Sequence, residues 1–157
     1  MGAVLDEIDR KILALLQRDA RMTNAAVGAE VNLSAPSAFE RIRKLEERGV
    51  ITGYTARIDP TALGKGLTAF IRITLADNED YASGEEAMRT DPDVLECYHV
   101  AGEDCFLLKT TVRDPSELDA LLRRIRAQTT VQRSVTMIAL STLKESSPID
   151  VSEKAPS

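Results

Sequence analysis

The chain has 157 residues, of which 43% are hydrophobic and 4% aromatic, with a formal net charge of −5. That is room for one average domain or two small ones. No apolar run approaches the roughly 18 residues that span a bilayer, and no signal peptide precedes the first helix, so the expectation is a cytoplasmic protein with no membrane partner.

The acidity is uneven. Residues 1–60 hold nine Lys/Arg and nine Asp/Glu. Residues 61–157 hold the remaining eleven and sixteen, and so carry the whole −5. A neutral first half and an acidic second half suggest two jobs.

The first helix is predicted from Asp6, an N-cap, with Glu7 and Asp9 placing negative charge in its first turn. Leu5, Ile8, Ile12, Leu15 and Leu16 recur at helical spacing, and the helix should fade over residues 17–20. Thr23 or Asn24 caps a short second helix through Val31. Gly28 sits inside it, at a cost of about 1 kcal/mol against Ala, which points to close approach by another backbone. Asn32 suits the left-handed conformation that ends a helix sharply, and Leu33 can plug the turn. Ser34 then caps a third helix with Pro36 in its first turn, and Gly49 stops it before Val50-Ile51 begin an extended piece.

The last two helices are joined too tightly to lie antiparallel. They should cross steeply, as in a helix-turn-helix. Residues 1–53 are therefore read as a winged-helix-like, helix-turn-helix domain, and residues 54–66, with Pro60, Gly64 and Gly66, as a linker.

Beyond the linker the period changes to two. Leu67, Ala69, Ile71, Ile73 and Leu75 alternate with Thr68, Phe70, Arg72 and Thr74, which predicts a strand. A weak helix follows over 79–90. Strands over 94–100 and 106–112 flank the turn Gly102-Glu103-Asp104. Asp114-Pro115-Ser116-Glu117 opens a helix striped with Leu118, Leu121, Leu122 and Ile125. The last strand is predicted over 131–143. Residues 146–157 have little to bury and read as a disordered tail.

The second half, 67–145, is thus βαββαβ, a ferredoxin-like sandwich with helices on one face of an antiparallel sheet; the whole is an α+β chain. The uncovered face is expected to carry Arg72, His99, Lys109, Ser134 and Thr136 together with the apolar Phe70 and Ile138. Apolar residues on an open sheet face mark an interface, here with a second copy of the chain.

On the third helix Ala38, Ile42 and Leu45 should face the core. The other faces carry four cations and three anions over residues 40–48, which alone is what a solvated helix looks like. What shifts the reading is the tip. Ser34, Ala35, Pro36 and Ser37 are small enough to enter a major groove, and the capped N-terminus offers N–H groups to phosphate. Arg41, Arg43 and Lys44, with Glu40 just before them, then face phosphates or base edges of double-stranded DNA.

Other chemistry finds no support. Cys97 and Cys105 are eight apart without a second metal-ligand pair and read as ordinary strand residues. His99 is the only histidine. No catalytic triad, metal cluster or phosphate-binding glycine loop is present, so no enzyme, metal or cofactor is expected.

The stretches LDEIDRKILALLQRDAR, VNLSAPSAFERIRKLEERGVITGY, ALG at 62–64, AGEDCFLLK at 101–109 and VTMIALSTLK at 135–144 together resemble the Lrp/AsnC, or feast/famine, family of transcription regulators. The resemblance covers roughly residues 5–144. It implies a helix-turn-helix domain, a βαββαβ effector domain, dimers that often assemble into octamers, and small effectors that are usually amino acids. Two positions depart from the family pattern. Asn32 stands where the turn usually has Gly. The acid expected three residues after Gly102 falls one residue early, at Asp104, with Cys105 following. By this resemblance Ala101, Gly102, Glu103 and Asp104 would meet the ammonium and carboxylate of an amino acid, with Ser134 and Thr136 supplying hydroxyls. The expected function is sequence-specific transcription regulation whose assembly and DNA affinity respond to a metabolite. The alternative is a small-molecule-sensing or protein-docking module that never touches DNA.

Overall fold

The computed structural model describes residues 4–76 and 81–152. The start of the helix expected at 79, and the last five residues of the expected tail, lie outside the described residues. The chain divides into two compact units: residues 1–56 with 144–157, and residues 57–143.

The first unit is helical. α1 spans Glu7–Arg18, α2 Asn24–Val31 and α3 Ala35–Glu47. Asp6 caps α1 by accepting from the Asp9 backbone N–H at 2.7 Å, and the Asp9 side chain reaches back to the Asp6 N–H, a reciprocal capping box. Thr23 is the cap of α2, with Asn24 its first helical residue. Asn32 ends α2 at φ 57° and ψ 43°, the left-handed region. Ile12, Val27, Ala38 and Leu45 are the innermost residues of one core built from all three helices. Val50 and Ile51 pack on it, and both of their N–H groups donate to the Leu45 carbonyl rather than to a strand.

Gly28 explains the tight crossing. A Cβ there would lie 2.6 Å from the Leu33 carbonyl oxygen and 3.3 Å from Ser34 backbone atoms. The close neighbour is the backbone of the turn entering α3. The Gly28 carbonyl also accepts the N–H of Leu33 at 2.8 Å, which ties the turn down.

The second unit begins with a short 3-10 turn, Pro60–Leu63. It continues β1 (Leu67–Leu75), α4 (Tyr81–Thr90), β2 (Val94–His99), β3 (Phe106–Val112), α5 (Pro115–Gln128) and β4 (Val131–Ile138). The strands form one antiparallel sheet in the order β2-β3-β1-β4. Ala69, Ile71, Ile73 and Leu75 of β1 and Phe106 and Leu108 of β3 meet Met88 of α4 and Leu118, Leu121 and Ile125 of α5 in its core. β4 stops at Ile138 instead of 143. The Ala139 N–H makes the last bond, to the Thr68 carbonyl near the start of β1, and beyond it no partner strand is found among the described residues.

One irregularity decides which way the side chains of β4 face. The β1–β4 register shifts between Thr74 and Leu75, so that Thr74 faces Arg133 but Leu75 faces Val131. One extra residue on β4 reverses its alternation. Val131 joins the core, while Val135 and Met137 turn to the uncovered face beside Arg72 and Phe70. Ser134, Thr136 and Ile138, expected on the uncovered face, instead lie opposite Ile73, Ile71 and Ala69 on the helix side. His99 also belongs to the helix side, opposite Phe106 with its ring stacked at 5.1 Å. The uncovered face includes Phe70, Arg72, Tyr98, Leu107, Lys109, Val135 and Met137.

The segment after β4 is a further correction. Of the residues read as a disordered tail, 146–152 return to the helical unit, where Val151 packs on its core.

Candidate nucleic-acid interface and effector loop

The tip of α3 is built by local chemistry. The Ser34 hydroxyl accepts the Ser37 N–H at 3.3 Å and pairs with the Ser37 hydroxyl at 2.9 Å. Pro36 lies in the first turn, where it removes no helical hydrogen bond. Ser34, Pro36 and Ser37 are exposed, and Ala35 is half-buried. This leaves a narrow tip with the positive end of the helix dipole behind it.

Charges behind the tip are not equivalent. The Arg41 guanidinium lies 2.7 Å from Asp6 and 2.8 Å from Asp9. Both acids belong to the capping box of α1, so Arg41 ties α3 to α1. Asp6 is held below the usual carboxylate range by the Asp9 backbone N–H first and the Arg41 guanidinium second. Arg43 pairs along its own helix with Glu40 at 2.9 Å and with Glu47. Lys44 is exposed and, among the described residues, has no ion-pair partner. It lies with Arg41 and Arg48 around a cavity of 240 Å³ floored by Asp9 and Leu45. Arg48 was not among the sequence-predicted contacts; its place at i+4 from Lys44 and i+7 from Arg41 was the available signal.

The loop over residues 101–104 is equally specific. Val100 and Cys105 close it by a 2.9 Å bond from the Val100 N–H to the Cys105 carbonyl, and the Cys105 N–H donates to the Ile73 carbonyl at 2.9 Å. Gly102 takes φ 146°, which L side chains rarely adopt. Ala101, Gly102 and Glu103 are exposed. The Asp104 side chain is only 10% exposed. It accepts from Arg72 at 2.6 Å, from Arg133 at 3.1 Å and from the Thr74 hydroxyl at 3.3 Å. The Arg72 guanidinium, before other causes, holds the Asp104 carboxyl below its ordinary value. Glu103 stays largely in water, with Arg133 3.8 Å away.

Thus the fold gathers Glu103 and Asp104 with Arg72, Thr74 and Arg133. It does not bring Ser134 or Thr136 there. Ser134 accepts from Arg126 of α5 at 2.9 Å on the helix side. Arg72 and Thr74 could have been suspected from the polar parity of β1, but Arg133 required the register of β4. Among the described residues no His/Cys/Asp/Glu group could hold a metal ion, and no helix is long and apolar enough to cross a membrane.

Comparison with known proteins bears on both halves. Residues 5–46 match the model of the AsnC-type helix-turn-helix domain, and residues 68–149 match that of the Lrp/AsnC ligand binding domain. The chain is 37% identical over 138 residues to the HTH-type transcriptional regulator LrpA of Mycobacterium tuberculosis, covering 88% of this chain and 92% of that one. It is also 37% identical to the leucine-responsive regulatory protein of Rhizobium meliloti, covering 94% and 96%. A crystal structure of a transcriptional regulator from Neisseria meningitidis in complex with L-methionine superposes with a TM-score of 0.89 at 29% identity, covering 94% and 97%.

Proposed function

The chain belongs to the Lrp/AsnC family of transcription regulators, and on that footing we propose how its parts divide the work. The helical unit reads double-stranded DNA by entering the major groove with the tip Ser34–Ser37. Glu40, Arg43 and Lys44 lie along the exposed flank of the same helix. Arg41, an expected contact, is reassigned to holding α3 against α1. The observation that carries the reading is the close contact of Gly28 with the turn, which positions a capped, slender helix end in front of a fixed scaffold.

The strand unit assembles copies and senses a small metabolite. The open sheet face, with Phe70, Leu107, Val135 and Met137 at its centre, pairs with the same face of a second copy, and dimers assemble further into octamers. Neutralised by Arg72, Asp104 shapes the loop. Glu103 is then the carboxylate available to an effector's ammonium, while Arg133 and the loop N–H groups are available to its carboxylate. An amino-acid effector fits this chemistry, in keeping with the L-methionine held by the Neisseria protein. The protein acts in the cytoplasm, where its DNA lies. Effector binding shifts DNA affinity only if the assembly states bind the effector differently.

Fluorescence anisotropy with DNA flanking the chain's own gene, across a salt series and with each of the common amino acids added, tests this. Specific binding should weaken linearly in the logarithm of salt concentration, and at least one amino acid should move the curve. Absence of binding to any fragment at low salt would favour a DNA-independent docking module.

A further inference from the structure

Beyond β4 the chain turns at Ser146, φ 47°, and runs along the helical unit. The Gln17 side-chain amide reads the backbone of Ile149 in both directions: the Ile149 N–H donates to Gln17 Oε1 at 2.7 Å, and Gln17 Nε2 donates to the Ile149 carbonyl at 3.0 Å. About two turns further back, Arg10 Nη1 donates to the Val151 carbonyl at 3.0 Å. Gln17 and Arg10 are seven residues apart and share a face of α1. The segment therefore lies antiparallel to that helix. Its contacts are to backbone groups, the mode by which proteins hold an extended peptide.

Beside it lies an apolar groove lined by Leu5, Leu13, Leu16, Val50, Ile51 and Tyr54, whose wall Ile149 and Val151 complete and which keeps about 390 Å³ open with the segment in place. Val151 seats in this groove against the helical core, while Ile149 lines its rim and remains 78% exposed. The seat is thus specific in hydrogen bonding and incomplete in packing. A segment held by a few surface bonds and one seated side chain opens easily.

We propose that this groove is the docking site of the chain's own residues 146–152, which act as a releasable strap. Docked, the strap completes the helical unit, so that the strand unit is an insertion entered at Arg57 and left at Leu143. Released, it opens the groove to water and loosens the end of α1 and residues 50–55.

Hydrogen exchange on the full chain and on the variants Gln17→Ala and Val151→Asp tests the strap without reference to DNA, so its failure is separate from any failure of the regulatory reading. In Val151→Asp, amides of 50–55 and of the last turn of α1 should exchange about tenfold faster, with β3 amides unchanged. If that variant loses protection everywhere, Gln17→Ala decides, since it removes only the two bonds to Ile149; a rise of about threefold in the same segments is expected. Unchanged exchange in Gln17→Ala and Val151→Asp overturns the strap. Protection of residues 50–55 and of the last turn of α1 that falls on dilution, with β3 amides unchanged, also overturns it, because the docked segment would then come from a second copy.

Discussion

Arg41 of α3 meets Asp9 of α1 at 2.8 Å, and Asp9 is the one charged residue buried among the described residues. The pair sits where the two helices cross and is completed by Asp6 at 2.7 Å. A near-buried carboxylate that loses its cation keeps its desolvation cost. Arg41→Ala should therefore lower stability by about 1–2 kcal/mol, the half-buried arginine limiting the loss. Asp9→Asn is the discriminating partner. If Arg41 served mainly as a DNA contact, removing a nearby negative charge would strengthen DNA binding. If it positions α3, Asp9→Asn should destabilise the fold and weaken binding together. Thermal unfolding by circular dichroism, beside anisotropy at a fixed salt concentration, reads both.

Gly28 has no room for a methyl group. The neighbour is the carbonyl of Leu33, whose backbone is held by its own bond to Gly28, so it cannot swing aside. Gly28→Ala, which on helix propensity alone would stabilise by about 1 kcal/mol, should destabilise the helical unit by about 2 kcal/mol. Denaturant titration followed at 222 nm checks the sign; a stabilised variant would show that the turn yields.

Lys44 is the exposed cation on α3 without an ion-pair partner among the described residues, whereas Arg43 is shared by Glu40 and Glu47. Lys44→Ala should weaken binding to all DNA sequences alike and reduce the salt slope by about one. Arg43→Ala should weaken it less per charge removed if those partners persist on DNA, because it also releases two carboxylates beside the phosphates. Equal slopes for Lys44→Ala and the parent chain would remove Lys44 from the interface.

Leu107 lies across from both Arg72 and Tyr98 on the open sheet face. Leu107→Glu should dissociate the proposed dimer at micromolar concentration without unfolding the sheet, because the helix side of β3 is untouched. Multi-angle light scattering would show a mass below that of the parent assembly, falling to the single chain where no other contact between copies holds. An unchanged mass would place the dimer contact elsewhere.

Acid should loosen both units. Asp6 is held low chiefly by the Asp9 N–H and then by Arg41, and Asp104 chiefly by Arg72. A carboxyl with a folded value below its unfolded one adds stability that is complete above the unfolded value, near pH 4, and is lost as pH falls through the folded value. Stability should be flat from about pH 7 to pH 5 and decline below about pH 4. In Arg72→Met the share due to Asp104 should shrink to what Arg133 and the Thr74 hydroxyl still supply; the same acid limb in parent and variant would count against the Arg72–Asp104 pair.

Much of this protein is legible without coordinates because its signals are local. Ser34 caps α3 through a bond to its own third neighbour, Asn32 turns left-handed by its own preference, and the alternation from Leu67 to Leu75 names the buried face of β1. Gly28 betrays a close approach, although not of which backbone. The family resemblance rests on the same local stretches. What the tertiary structure alone decided depends on residues far apart in sequence. Ser134 and Thr136 went to the helix side because a bulge opposite Thr74 and Leu75 reversed β4, and one extra residue changes every following side chain's face. Asp104 found Arg72 and Arg133, and Arg41 found Asp6 and Asp9, through pairings that charge pattern cannot rank. Ile149 and Val151, two apolar residues in a polar tail, carry too little local signal to reveal a seat built by Gln17, Arg10 and a groove more than 90 residues away in sequence.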